Sequence, residues 1–247
     1  MKLKALKFGE IPECQNCAVQ KSSLFCHLDR EEIAQISDEK GFSIYKKGQS
    51  VFLQGNQPHG IFCIQEGKVK IHNIGEDGKE QILRFYGPGS VIGYRAVLSG
   101  ENYFSNATVI EESRICFISK TLFLKNLKEN ASFAMFILNL LAHDLKVAES
   151  TIVSMAHKQV RERLAESLLR LRDFYGLESD NATINATLSR GELGSLAGTS
   201  AESTIRIIHE LQEMNIIRLN GKKIVIIDAK KLDRIANPFH RYLNFGG

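Results

Sequence analysis

Between Gly48 and Gly100, apolar and polar residues alternate in short runs: "QSVFLQ", "IFCIQEG", "KVKIHNI" and "EQILRFY". A period of two puts one set of side chains on a buried sheet face and the other toward water. Ten of the chain's 19 glycines fall in this stretch, so the runs are short and the turns between them tight. The pattern predicts an antiparallel barrel or jelly roll, a double-stranded β-helix. "GEDGKE", Gly75 to Glu80, reads as a hairpin loop, and Thr108 to Ser119 as a final pair of strand-like pieces.

After residue 120 the period changes. From Thr121 to Gly176 there is no proline, and the one glycine is the last residue. Leu138, Leu141, Leu145, Ala148, Ile152 and Met155 recur at steps of 3, 4, 3, 4 and 3. That is a coiled-coil seam. None of the six is charged, so the seam predicts a parallel homodimer that needs no ligand to form. The alternative is a long helix packed on its own barrel. A break near Ser154 to Gln159 leads into a second helix, Val160 to Tyr175, and the polar loop "GLESDNATINATL" follows.

"LSRGELGSLAGTSAESTIRIIHELQEMNIIRLNGKKIVIID" carries the clearest local signals. Ser189 and Glu192 form S-x-x-E, a capping box that opens a helix ending at Gly198. Thr199 and Glu202 form T-x-x-E and open the next, with Ile205, Ile208 and Leu211 toward its buried side and Met214 one turn beyond. Two short helices across "AGTS" make a helix-turn-helix. Two strands around Asn220-Gly221 add a hairpin, hence a wing. In such a module the start of the second helix meets base edges in the major groove. Ser200, Glu202, Ser203 and Arg206 lie there. An arginine can grip guanine O6 and N7, and a carboxylate can accept from cytosine N4. The plainer reading is that Glu202 caps the helix and pairs with Arg206 at the surface. Arg190, Thr199, Arg218, Lys222 and Lys223 are candidate phosphate contacts, which fix position without reading sequence.

A net charge of +4 over 247 residues permits nucleic-acid binding without arguing for it. No run of about 18 apolar residues is present, so no membrane span is expected. The basic start "MKLKALKFGEIPEC" lacks the apolar core of a secretory leader. A cytoplasmic protein with reduced thiols is expected. Three of the five cysteines then crowd into one segment: Cys14 and Cys17 as C-x2-C, and Cys26 after eight intervening residues. Such thiolates suit zinc, with His27 as a further ligand, or an iron–sulfur cluster, or a switching thiol pair; inert thiols are the remaining reading. Cys63 reads as a strand core residue, not a ligand. An enzyme is not expected. C-x-x-C lacks a βαβ setting, no P-loop or dinucleotide fingerprint occurs, and the histidines are scattered.

A glycine-rich roll, a long helix and "SRGELGSLAGTSAESTIRIIHEL" in this order resemble the cyclic-AMP receptor protein and fumarate–nitrate reduction regulator family of transcription factors, from about residue 25 to the end. The segment looks closest to the oxygen-sensing branch. The resemblance implies a sequence-specific regulator that binds double-stranded DNA as a homodimer on a palindrome and touches RNA polymerase. The polymerase contacts would be "GEDGKE" and the loop before Leu188. It also implies base reading by Glu202 and Arg206. Where that branch has a serine between them, this chain has Ile205, which can meet a thymine methyl and shift the half-site from a TTGA core. In nucleotide-binding relatives a Gly-Glu pair holds the ribose and an Arg-Ser pair the cyclic phosphate. Here Tyr94 and Phe104 stand at the Glu and Arg positions, and Arg95 would point away from an extended chain. Cyclic AMP is therefore not expected, because a buried phosphate without a counter-charge is costly. The oxygen-sensing branch further implies a [4Fe–4S] cluster on Cys14, Cys17, Cys26 and Cys116, although the gap before Cys26 is at or beyond that branch's upper end. The expected domains are a cysteine segment 1–27, a β-roll 28–128, a dimer helix 129–157 and a winged helix-turn-helix 158–247, in an α+β fold.

Overall fold

The computed structural model describes residues 13–20 and 23–238. Most of the basic start and most of the tail "NPFHRYLNFGG" lie outside the described residues. The chain divides into two compact units. One reaches Asn73 and takes in Leu83–Lys146. The other joins Ile74–Ile82 to the chain from Val147 onward.

In the first unit, helix α1 (Arg30–Glu39) starts in a capping box of Asp29 and Glu32. The sheet that follows contains β1 (Gly41–Tyr45), β2 (Ser50–Phe52), β3 (Gly60–Ile74), β4 (Glu80–Tyr86), β5 (Val91–Ile92) and β6 (Asn106–Ser119). Its order is β1-β6-β3-β4, with β2 also paired to β6 and β5 to β3. The expected roll is present, with two differences. "IFCIQEG" and "KVKIHNI" form one strand, not two. Its register with β6 shifts around Glu66 and Lys68, and Gly67 sits at φ +88°. A side chain on Gly67 would lie 2.2 Å from Ser113 Oγ, so the glycine marks a bulge against β6 and not a turn. Likewise Thr108–Ser119 belongs to one long strand.

One buried cluster joins Ile61, Cys63, Cys116 and Ile118 of the sheet to Phe123 of α3 (Lys120–Glu129) and to Phe133 and Ile137 of α4 (Ala131–His157). A second packs Ile64, Val69, Ile92, Ala107, Val109 and Ile115. Phe133 and Ile137 are each 1% exposed, whereas Leu138, Leu145 and Ile152 on the same helix are 56%, 61% and 67% exposed. Leu141 is partly covered by the core.

Contrary to the reading of the apolar runs, one described helix, α4, is long and apolar enough by composition to cross a membrane. Its apolar residues are divided between a face on the roll's core and an outward stripe. Asp144 between them is engaged by Arg84. A helix with one packed face and a separate exposed stripe is not apolar all round.

The second unit takes in the end of α4, from Val147 onward. The reason is local. Ser154 Oγ donates to Glu166 at 2.8 Å, and Lys158 pairs with the same carboxylate at 3.0 Å. The end of α4 is thereby tied to α5 (Val160–Tyr175). Helices α6 (Arg190–Ala197) and α7 (Ala201–Glu213), strands β7 (Ile217–Asn220) and β8 (Lys223–Ile226), and α8 (Ala229–Ala236) complete the unit. Helix α5 packs against α6, α7 and α8. The hairpin turn is Gly221-Lys222, with Asn220 paired to Lys223 and positive φ at Gly221, the pattern of a type II′ turn.

Candidate nucleic-acid interface and cysteine crevice

Ser189 caps α6 as the sequence predicts, accepting from Glu192 N at 3.1 Å while Glu192 returns to Ser189 N at 2.8 Å. Gly198 then turns the chain at φ +63°. The cap of α7 is Ser200, which accepts from Ser203 N at 3.1 Å. It is not Thr199, whose N–H is spent on Gly194 O at 2.9 Å. A side chain at Gly194 would stand 2.7 Å from Thr199 O, so only glycine lets the two helices cross this closely.

The buried side of α7 is Thr204, Ile207, Ile208 and Leu211. Ile205 and Met214 are 45% and 47% exposed, so the placement of Ile205 on the buried side is corrected, and it shares the open face with Glu202 and Arg206. Arg206 pairs with Glu210 at 2.7 Å, one turn on, and not with Glu202. An exposed pair of this kind contributes about 0.3–0.5 kcal/mol. A guanine held by both guanidinium nitrogens is worth about 1–3 kcal/mol. Arg206 is therefore available to a base.

Sequence reasoning passed over Arg163 at the foot of the turn. Its Nε donates to Ala197 O at 2.8 Å, Nη1 to Lys158 O at 2.8 Å and Nη2 to Gly198 O at 3.4 Å. One planar fork thus holds the helix-turn-helix corner to the start of α5, a task lysine's single ammonium cannot copy. Met155, the last seam position, lies over the same corner: a methyl on Gly198 would be 2.8 Å from its Cε. Among the phosphate candidates, Arg218 and Lys222 are exposed and Lys223 is engaged by Glu178. Arg190 keeps a buried Nη1 without a hydrogen-bond partner, and burial lowers its pKa.

In the roll, "YRAVLS" is helix α2 (Tyr94–Ser99) and not extended chain. The reason given for discounting Arg95 is therefore corrected. Arg95 is exposed on this helix with its guanidinium 5.7 Å from the centre of the Phe104 ring. Tyr94 is buried, and its hydroxyl donates to Asp144 Oδ2 at 2.6 Å. Arg84 pairs with the same carboxylate and donates from Nη2 to Asp144 O at 2.6 Å. Burial first, and then Asp144, hold the Tyr94 phenol well above its usual pKa. Arg84, whose charge acts on the Tyr94 phenol, is thus already committed to α4. Asp144→Ala is expected to cost about 2 kcal/mol, because it takes the carboxylate from a partly buried guanidinium and leaves a buried hydroxyl without its acceptor. The urea midpoint at unchanged slope measures it.

The thiols are sorted by burial. Cys14, Cys63 and Cys116 are 3%, 5% and 6% exposed and belong to one core cluster. Cys63 faces Cys116 across β3 and β6. Cys17, Cys63 and Cys116 line one narrow crevice. Burial pushes the Cys116 thiol up to about 12, with Cys14 and Cys17 adding to the rise. Burial likewise raises Cys63 well above the ordinary value, with Cys116, Cys14 and Cys17 contributing in that order. Lys40 opposes this. It is 5% exposed, its Nζ donates to Ser37 O and Oγ at 3.2 Å each, and its charge pulls down both Cys14 and Cys116. A buried ammonium with neutral acceptors favours anions beside it.

Cys26 is exposed. It sits on the short helix Leu24–His27, whose Leu24 and Phe25 are 0% and 3% exposed. Turning Cys26 inward would unbury both, at about 1.5–3 kcal/mol each. His27 lies against Phe136, the rings tilted and 4.6 Å between centres. Among the described residues no three thiol, imidazole or carboxylate groups meet closely enough to hold a single metal ion, which speaks against the zinc reading. A [4Fe–4S] cluster makes a different demand. Each of its irons takes one thiolate, so the sulfurs stand apart around a cube. Cys14 and Cys116 share one buried cluster, and the charge of Lys40 acts on both.

Residues 43–130 match the cyclic nucleotide-binding domain family, and residues 162–235 the Crp-like helix-turn-helix domain family. The chain is 26% identical over 226 residues to electron transport regulator A of Shewanella oneidensis, covering 90% of each. It is equally similar, over the same length and coverage, to the fumarate and nitrate reduction regulatory protein of Vibrio cholerae. In fold it is similar to a crp/fnr-family transcriptional regulator from Eubacterium rectale, with TM-score 0.73, 17% identity, and 87% and 97% of the two chains covered. It is also similar in fold to FixK2 from Bradyrhizobium japonicum, with TM-score 0.70, 21% identity, and coverage of 79% and 96%. These curated relatives are regulators and not enzymes. A nucleotide-binding-type roll followed by a Crp-like helix-turn-helix, in a chain aligned nearly end to end with anaerobic regulators, places it: the chain belongs to the Crp/Fnr family of DNA-binding transcription regulators.

Proposed function

We propose that the protein is a cytoplasmic homodimer that binds a palindromic duplex and senses oxygen or redox state through a [4Fe–4S] cluster. Glu202, Arg206 and Ile205, with Ser200 and Ser203 at the cap, meet base edges. Arg190, Thr199, Arg218, Lys222 and Lys223 meet phosphates. A phosphate would also satisfy the orphan Arg190 nitrogen, as buried donors require. The stripe Leu138, Leu141, Leu145, Ala148, Ile152 and Met155 meets its copy in a second chain. By resemblance, Gly75–Glu80 and the loop before Leu188 touch RNA polymerase. Cyclic AMP is not the effector, since Tyr94 and Phe104 replace the acidic and basic groups it needs.

The observation that carries the sensing role is the grouping of Cys14, Cys17 and Cys116 around Lys40. A bound cluster supplies oxygen-labile redox chemistry. The chain's own part is to hold it with thiolates from the N-terminal turn and the sheet, and to link the roll to α4 through the Arg84–Asp144–Tyr94 contact. A change at the thiols would then bias α4, and through it the recognition helices. The second reading, a regulator with another effector or none, draws on the exposure of Cys26. Iron and sulfide analysis of protein purified without air separates the two. The expected result is about four of each per chain. Air is then expected to lower affinity for a palindromic duplex while sedimentation still gives a dimer. Colourless, iron-free protein would remove the cluster, and a dimer that splits in air would contradict the ligand-independent seam.

A further inference from the structure

We propose that Arg163 and Glu166 are positioning residues that fix the spacing between half-sites at which both recognition helices of a dimer can read. The inference rests on reading the protein as a symmetric dimer on a palindrome. The exposed residues of α7 decide which bases are preferred. What holds the helix-turn-helix to the dimer helix decides how far apart the two preferred sequences stand. One added base pair moves a half-site about 3.4 Å along the duplex and about 34° around it. A rigid joint cannot follow that displacement, and a loose one can.

The joint lies wholly within the second unit. Its first tie joins α4 to α5. Glu166 Oε2 accepts from Ser154 Oγ at 2.8 Å and from Lys158 Nζ at 3.0 Å, and Arg170 Nη2 donates to Oε1 at 2.6 Å. Its second tie joins α5 to the corner before α7. The Arg163 fork donates to Lys158 O at the α4–α5 junction, to Ala197 O at the end of α6 and to Gly198 O in the turn. Carbonyls at a helix end lack partners within the helix, and a cation there also suits the helix dipole. Nε, Nη1 and Nη2 are all engaged, so Arg163 acts through the orientation of α7 and not as a contact to DNA. Met155 closes the remaining side of the corner, where its methyl occupies the place a side chain on Gly198 would take. Met155 is also the last position of the apolar stripe on α4. One residue thus borders both the proposed seam and the reading corner.

The test is fluorescence anisotropy of the full chain on the inverted repeat that wild type enriches from a random library. It is compared with the same repeat carrying one base pair more or fewer between its halves, and with a single half-site with and without its guanine. Wild type is expected to lose about thirtyfold in affinity on either altered spacing, the worth of one half-site's base contacts. Arg163→Lys keeps the charge without the planar fork, so its loss on altered spacing is expected to be no more than about fivefold. Its preference for the guanine on the single half-site is expected to stay that of wild type. A full spacing penalty in Arg163→Lys, or loss of the guanine preference, overturns the assignment while leaving the dimeric reading intact. A wild type that enriches no inverted repeat overturns both. Where Arg163→Lys does not unfold cooperatively, Glu166→Gln carries the test, because it loosens the tie between α4 and α5 without touching the corner. It is expected to relax the spacing penalty in the same way, and an unchanged penalty overturns the assignment.

Discussion

The double variant Glu202→Ala, Arg206→Ala is expected to bind its operator roughly a thousandfold more weakly and to lose discrimination against unrelated duplex. Each half-site gives up about 2 kcal/mol of base contacts, and a symmetric pair gives up both, about 4 kcal/mol in all. The residual affinity should equal that for random duplex and should still fall steeply with salt, because the phosphate contacts remain. The variant should keep the melting temperature of the parent. Both residues are exposed, and the cap of α7 is Ser200 and not either of them. Fluorescence anisotropy with operator and scrambled duplexes measures both effects. Arg206→Lys separates charge from geometry: it retains the charge but not the fork, so it should lose selectivity with little change in the salt slope.

Ile152→Glu is expected to convert the dimer to a monomer at micromolar concentration. Ile152 is 67% exposed and is the fifth of the six seam positions, between Ala148 and Met155. Burying such a side chain contributes about 2 kcal/mol, so two copies remove roughly 4 kcal/mol, a factor of about a thousand in dissociation constant, before any repulsion between the facing carboxylates. The fold of each chain should survive, because the core face of α4 is Phe133 and Ile137, a different side of the helix. Sedimentation velocity reads the mass, and urea unfolding the stability of the monomer. If Ile152→Glu remains dimeric, the seam lies elsewhere. Val153, at 58% exposure on an adjacent face, would be the next position to change.

Much of this architecture could be read in advance because its signals are local. The capping box at Ser189, the glycine at 198 and the hairpin around Gly221 each depend on residues within a few positions. The exposed apolar stripe on α4 is a period within one helix. Errors arose where neighbours offered equal choices. Thr199 and Ser200 can both cap a helix, and the structure starts α7 after Ser200, whose Oγ accepts from Ser203 N. Gly67 between two alternating runs looks like a turn, yet close approach to Ser113 makes it a bulge in one strand. "YRAVLS" is too short for a helical period to declare itself. What could not be read were contacts between distant segments: the Arg163 fork, the bond from Tyr94 to Asp144 fifty residues away, and the pairing of Cys63 with Cys116. The register of two strands joins those cysteines, and no spacing along the chain reports it. For the same reason the crevice brings Cys63, which alternation assigned to the core, together with Cys17 and Cys116, while neither Cys14 nor Cys26 lines it.

The most direct test of a symmetric DNA-reading dimer is selection of bound duplexes from a random library by the full-length protein prepared without air. The account predicts enrichment of an inverted repeat whose half-site centres are about 10 base pairs apart or a multiple of that. Each half should carry a guanine that Arg206→Lys ceases to prefer. Enrichment of a single unrepeated half-site, or of no sequence at all, would contradict it.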